Sequence, residues 1–360
     1  MKKKLLIIVI AIFLFFVLVG IGSVAYLKSG LNAVDSSNKD EILFEVKKNS
    51  FGTVLIGELD EAGLIKNKVS ARIYLKLHGN FSPLAGVYSL NKAMSFEEIM
   101  NYISDSKNAI EDSVSVTFVE GKRITDYAKV INKNFGYSEE EILNTLSDKE
   151  YLEQLIEKYW FLTEDVLNDK LYYALEGYLY PDTYAFRKDA SIKDIINKML
   201  DGMANKLANS KELIEKSDYS VHEILTMASV VELEGANSND RYGVAGVFYN
   251  RLKNGMSLGS DVTTYYGARV NMADRDLWQK EIEEINGYNT RPSAMAGKLP
   301  IGPICSPSVD SIKASLEPEQ HDYLYFVADK NGKTYFNYTY EQHISTVNKL
   351  KSEGLWYTYS

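Results

Sequence analysis

A carboxyl that must hold a proton near neutral pH needs apolar neighbours, and the stretch Ala228-Ser-Val-Val-Glu-Leu-Glu-Gly235 offers one. Ser220 stands three residues ahead of Glu223, the capping-box spacing that opens a helix. Ile224, Leu225, Ala228 and Val231 recur at helical spacing, and Gly235 supplies a stop. On that helix Glu232 shares a face with Leu225, Ala228 and Ser229. Desolvation and the negative end of the helix dipole both favour the neutral carboxyl, the form a general acid requires. Glu234 falls about 200° round the same helix, so the two carboxyls cannot face one bond together. The competing reading of Glu232 is a surface glutamate near a helix end.

Other blocks with chemistry-bearing residues flank this stretch. They are Leu175-Glu-Gly-Tyr-Leu-Tyr-Pro-Asp-Thr-Tyr184, Asn250-Arg-Leu252, Ser260-Asp261, Tyr288-Asn-Thr290, Leu299-Pro-Ile-Gly-Pro-Ile304 and Tyr323-Leu-Tyr-Phe-Val-Ala-Asp329. Taken in order, they make the chain from about residue 40 to its end resemble the membrane-anchored endolytic murein transglycosylases, the YceG-like family. The resemblance implies that Glu232 is the catalytic acid. It implies further that Glu176 lines a cleft and that Ser229, Glu234, Arg251, Asp261, Tyr288 and Asn289 contact the substrate. Asn289 would hydrogen-bond an acetamido group and Tyr288 would pack on a sugar ring. Arg251 has the alternative of pairing with a carboxylate or snorkelling to water, and Asp261 that of capping the helix it precedes.

The chemistry implied is cleavage of the glycosidic bond between N-acetylmuramic acid and N-acetylglucosamine. Hydrolytic glycosidases use a second carboxylate. In the family's route the substrate's own C6 hydroxyl attacks instead, leaving a 1,6-anhydro end, with no metal and no other cofactor. Two rivals stay open: a hydrolytic muramidase, and a non-catalytic wall-binding adaptor. The resemblance also implies partnership with peptidoglycan synthases.

Two motifs point elsewhere and fail on context. His222-Glu223 begins like a zinc-protease helix, but Thr226 occupies the place of the second histidine. The four histidines, at 78, 222, 321 and 343, are too scattered for a metal site. Gly255-Met-Ser-Leu-Gly259 fits a nucleophile elbow, yet it ends a helix where that motif needs a strand before it and a helix after it.

The elements that must position these residues are those of a mixed α+β protein. Strand, tight turn and helix recur at Ile42–Val46 with Thr53–Glu61, Val87–Leu90 with Phe96–Ile103, and Val114–Val119 with Thr125–Asn132. The first two repeats, with a helix Val69–Leu77 between them, resemble the LysM-like subdomain of the family. Glycan binding and a plain spacer are its two readings. Ser138 to Leu167 reads as helical and acidic, and Leu175 to Phe186 as an aromatic-rich segment that is mostly core. A helix from Val244 to Gly255, a short one from Ser308, a hairpin around Asp329-Lys-Asn-Gly-Lys and a last helix to about Ser352 complete the pattern.

At 360 residues the chain is too long for one small core. Its net charge of −9 leaves no overall basic footprint for nucleic acid, and its single cysteine rules out an intramolecular disulfide. Lys2, Lys3 and Lys4 precede an uncharged, mostly apolar run from Leu5 to Leu27. As a helix that run spans roughly 34 Å, enough for a bilayer core of about 30 Å. The positive-inside rule puts the lysines in the cytoplasm and the rest outside, on a cell membrane. A cleaved signal peptide is the alternative, with a normally shorter apolar region. The expected division is a tail at 1–4, a transmembrane helix at 5–27, a linker at 28–40, a LysM-like subdomain at 41–110 and a catalytic domain at 111–360.

Overall fold

The computed structural model describes residues 22–356, apart from residues 49, 80, 236, 238 and 239. Most of the expected anchor, Leu5 to Leu27, lies outside the described residues; its last six positions belong to a helix that runs to residue 29. No helix among the described residues is long and apolar enough to cross a membrane. The architecture is mixed α+β, with two-stranded sheets and many short helices.

Packing divides the chain into two units. One comprises the described residues up to Ser115 together with Tyr184–Lys188; the other comprises Val116–Thr183 and everything described from Asp189 onward. In the first, β1 (Ile42–Val46), α1 (Thr53–Glu61), α2 (Lys68–Leu77), β2 (Gly86–Leu90) and α3 (Phe96–Tyr102) follow one another. β1 and β2 pair antiparallel, Ile42 opposite Leu90 and Val46 opposite Gly86. Leu55, Leu59, Tyr88, Leu90, Phe96 and Ile99 centre its core. Ser95 and Glu98 close the expected capping box at the start of α3.

After β3 (Ser113–Thr117), the chain forms α4 (Ile124–Phe135), α5 (Glu139–Leu146) and α6 (Lys149–Lys158). The acidic stretch from Ser138 is thus broken into separate helices. Asp148 accepts from the Tyr151 amide and starts α6 afresh. No element is expected from the sequence between Leu167 and Ser220, but the structure has β4 (Thr183–Arg187), α7 (Ile192–Leu207) and α8 (Lys211–Glu215) there. α7 opens with a Ser191/Asp194 capping box and buries Ile195, Ile196, Met199 and Met203 along one stripe.

The glutamate helix, α9 (Val221–Glu234), opens with the predicted Ser220/Glu223 box. Expected to be apolar on one face, it is buried all round: every residue from Ile224 to Glu232 is inside. It packs against α10 (Arg241–Lys253), α11 (Asp261–Gly267) and α13 (Val309–Leu316); α12 (Gln279–Glu283) lies between the last two in sequence. Leu225, Met227, Val230 and Val231 are fully buried, at roughly 1.5–3 kcal/mol each. The hairpin β5 (Tyr325–Ala328) and β6 (Thr334–Asn337) and the helix α14 (Tyr340–Ser352) complete the unit.

Two of the sequence blocks meet in the core of this unit. Gly177 has φ +80°, and a Cβ there would sit 2.3 Å from Pro303 Cβ, so only glycine lets the Glu176-Gly177 turn lie on the proline loop. His222 is part of the same core. One ring nitrogen meets the Tyr178 hydroxyl and the other the Ile301 carbonyl, each at 2.8 Å.

Candidate active site

α9 ends at Gly235, which is extended (φ −70°, ψ 112°), where a left-handed stop was expected. The reason for glycine is close approach: a Cβ would lie 2.7 Å from Arg241 Cγ and 3.0 Å from the Val231 carbonyl. Arg241, the first residue of α10, can therefore fold back over the helix end. Its Nη2 donates to Glu232 Oε1 at 2.8 Å.

The other oxygen of Glu232 is met by the start of α13. Oε2 accepts from the Ser308 amide at 2.9 Å, the Ser308 hydroxyl at 2.5 Å and the Ser311 hydroxyl at 2.7 Å. Ser308 Oγ in turn accepts from Arg241 Nη1 and from the Ser311 amide, which makes it the N-cap of α13 as well. The Glu232 side chain is 4% exposed and that of Arg241 14%. Across from them lies Gly121, whose absent Cβ would come within 3.8 Å of Glu232 Cγ.

This corrects the expected environment. Glu232 is enclosed, but by a guanidinium, an amide and two hydroxyls that all donate to it, where apolar neighbours were expected. The apolar neighbours on its own helix, Leu225 and Ala228, face the core. Oε2 is anchored by three donors; among the described residues Oε1 has Arg241 alone. The carboxyl is therefore oriented, with one edge fixed and one edge exchangeable. Sequence reasoning passed over Arg241, Ser308 and Ser311. The available signal was Ser308 as the opening residue of a helix; nothing local marks its distance to residue 232.

The remaining predicted site residues fall into three places. Glu234 points the other way, as the helical angle requires: it is half-buried and accepts from the Ser260 hydroxyl at 2.6 Å. Burial lifts its carboxyl above the ordinary range, against the pull of Ser260, Arg251 and Arg291. Ser260, rather than Asp261, is the N-cap position of α11; Asp261 is exposed and paired with Arg291. Arg251 donates to the carbonyls of Leu324 at 2.7 Å and Leu258 at 2.6 Å. Burial lowers its pKa, opposed by Tyr325 and Glu234.

Ser229, Tyr288, Asn289 and Glu176 are inside the unit. Ser229 accepts from the Ile304 amide and donates to Thr226, fixing the proline loop onto α9. Tyr288 is 1% exposed; its hydroxyl accepts from the Tyr172 amide, and burial pushes it up to about 12. Asn289 is wholly buried, donating to the carbonyls of Ile282 and Glu284 and accepting from Thr264. Glu176 accepts from the Ile124 amide at 2.9 Å and the Tyr266 hydroxyl at 3.1 Å. Burial, the largest influence, raises its carboxyl to about 8.

A groove lies elsewhere on the unit. With a volume of about 1110 Å³, it is lined by Ser220, Glu223, Tyr249, Lys253, Lys298 and Glu319, among others. It sits at the opening end of α9, about 14 Å of helical rise from Glu232.

Residues 44–349 match the model of the YceG-like family. The chain is 34% identical to a protein named endolytic murein transglycosylase from Bacillus subtilis over 334 residues, covering 92% of this chain and 90% of that one. A protein of the same name from Streptococcus pneumoniae is 31% identical over 337 residues, covering 88% of this chain, which spans 60% of that relative's length. Among solved structures, a yceG-like protein from Listeria monocytogenes is similar at a TM-score of 0.61 and 32% identity, covering 86% of this chain and 99% of that one.

Proposed function

The chain belongs to the YceG-like family, and on that premise we propose that it is an endolytic murein transglycosylase with Glu232 as its acid and base. The observation that carries the reading is the oriented Glu232 carboxyl, with Oε2 held by three donors and Oε1 answered by Arg241. The names of the similar proteins from Bacillus subtilis and Streptococcus pneumoniae support it.

Oε1 is the working edge. Arg241 gives way as the strand enters, Oε1 takes up a proton from solvent in place of that ion pair, and the carboxyl delivers this proton to the glycosidic oxygen between N-acetylmuramic acid and N-acetylglucosamine. The C1–O bond breaks, and positive charge spreads over C1 and the ring oxygen. The substrate's C6 hydroxyl then attacks C1, and Glu232, now a carboxylate, takes up the hydroxyl proton. The product end is a 1,6-anhydro sugar, one water lighter than a hydrolytic end. Ser308 and Ser311, on Oε2, hold the carboxylate that stands between the two transfers. One carboxyl acts twice in this scheme, so no second carboxylate is needed beside it.

The finer assignments belong to the same proposal. Three lysines ahead of an apolar run support a single-pass membrane anchor with the enzyme outside the cell. The order β1, α1, α2, β2 with antiparallel pairing supports the LysM-like reading of the first unit. Peptidoglycan synthases are the expected partners by family resemblance. The deciding experiment is mass analysis of digested glycan strands, wild type against Glu232→Gln. Anhydro ends should appear with the first and fall roughly 10²- to 10⁴-fold with the second. Hydrated ends, or equal activity from both proteins, would sink the assignment.

A further inference from the structure

Four planar groups stack in a row on the second unit. The Arg269 guanidinium lies 4.1 Å over the ring of Tyr172. Tyr172 and Tyr266 are stacked at 5.6 Å with 21° between their planes, and Arg123 covers Tyr266 at 5.0 Å. Arg123 Nη2 donates to the Val270 carbonyl, next in sequence to Arg269, so both ends of the row are fastened to the same turn.

The backbone at that turn is strained in a way that needs a reason. Arg269 is the one non-glycine residue with positive φ among the described residues, at φ 56°. Its amide bonds the Tyr266 carbonyl and the Val270 amide bonds the Tyr265 carbonyl, the paired bonds of a Schellman stop after α11. Glycine normally fills that left-handed position because it has no Cβ to clash. An arginine held there against its backbone preference points to a role for the side chain. The residue is exposed, and its guanidinium makes no hydrogen bond or ion pair among the described residues.

Both guanidiniums lie against tyrosine faces; Arg123 spends Nη2 on the Val270 carbonyl, and Arg269 keeps its N–H edge for a ligand. The nearby amides at the start of α4 are already taken, Ile124 by Glu176 and Arg123 by Asp126. Asp126 otherwise faces Lys129. Arg123 follows Gly121 by two residues, and Gly121 lies against Glu232. The Arg123 backbone is thus within about 7 Å of the wall of the candidate site. A flat, bidentate acceptor suits a stacked guanidinium, and a carboxylate has that shape.

We propose that Arg269, on a stack whose far end Arg123 closes and fastens to the same turn, is a recognition site for a carboxylate of the short peptides carried by the glycan strand, setting which sugar bond reaches Glu232. This rests on the transglycosylase reading for the identity of the strand.

The test measures binding by the full chain carrying Glu232→Gln, so that no cleavage intervenes. The probes are peptide-bearing strands, strands stripped of peptide by an amidase, and strands whose peptide carboxylates are amidated. Adding Arg269→Gly, which the positive φ accommodates, should lower the preference for peptide-bearing over stripped strands roughly 3- to 10-fold. Arg123→Gln should lower it as well. A preference that survives amidation, or survives Arg269→Gly, overturns the site. The expected preference in a chain whose wild-type form releases no anhydro ends overturns the transglycosylase reading and leaves the arginine site standing.

Discussion

At the scale of single residues, the site is a carboxyl with unequal edges. Ser311 donates one of the three bonds to Glu232 Oε2 without being the helix cap, which is Ser308. Ser311→Ala should therefore leave folding within about 1 kcal/mol of wild type while lowering kcat several-fold with KM little changed. Urea unfolding and steady-state kinetics on glycan strands separate the two effects. A change in KM alone would mean that the hydroxyl serves binding. Glu176 gives a second residue-scale prediction. Its folded value of about 8 stands above the ordinary 4.5 because it is buried. Between those values the folded chain holds a proton that the unfolded chain has lost. Its contribution to stability is complete below about pH 4.5 and is lost as pH rises toward 8. Glu176→Gln, which copies the neutral acid, should flatten that slope and exceed wild type by a few kcal/mol at pH 8.5, because each tenfold change in proton affinity is worth about 1.4 kcal/mol. Equal slopes in urea titrations at pH 5 and 8.5 would show Glu176 to be ionised in the fold. Glu232 was legible in the sequence because helical spacing is local. Its partners were not: Arg241 is 9 positions away, and Ser308 and Ser311 are 76 and 79 away.

Among elements, the helices announced themselves by their caps. Ser95, Ser138 and Ser220 each stand three residues before a glutamate, and each box closes as the spacing requires. α7 carries the same signal at Ser191 and Asp194, so the sequence does mark its start. Tyr288 and Asn289 could not be placed by pattern. An aromatic and an amide next to each other suit a sugar as well as a loop, and only the tertiary fold decides that both are enclosed. The joint between elements with the least tolerance is Gly177 on Pro303. Gly177→Ala meets a left-handed backbone and a contact at 2.3 Å together. We expect a loss of about 2–5 kcal/mol, the sum of the two penalties. Calorimetry should show a melting temperature lower by several degrees. The buried thiol of Cys305, close to this joint, should then react faster with iodoacetamide than in wild type. Unchanged melting would mean that the proline loop shifts without cost.

For the whole molecule, the consequence to test is that the first unit is built from two separate pieces of chain. Tyr184–Lys188 belongs to it although the chain has by then made three helices of the other unit. Arg187 pairs with Glu41 at 2.6 Å, and the Lys188 amide donates to the Asp112 carbonyl. Tyr184, Ala185 and Phe186 are all buried. A cut at the boundary suggested by sequence, near residue 110, would leave these three side chains on the larger fragment without the body they help to form. Fragment 111–360 keeps β3 beside β4 but loses Glu41 and the rest of the first unit, and should thus expose apolar side chains of β4, with the association that such surface promotes. Size-exclusion chromatography of the fragment against the chain from residue 28 measures this directly. We expect the longer chain to run as one species and the fragment to self-associate with concentration. A fragment that stays monomeric and melts at the temperature of the longer chain would mean that β3 and β4 hold together without the rest of the first unit. Loss of activity on truncation must be read in that light, since removing the rest of the first unit uncovers β4 whether or not that unit touches glycan.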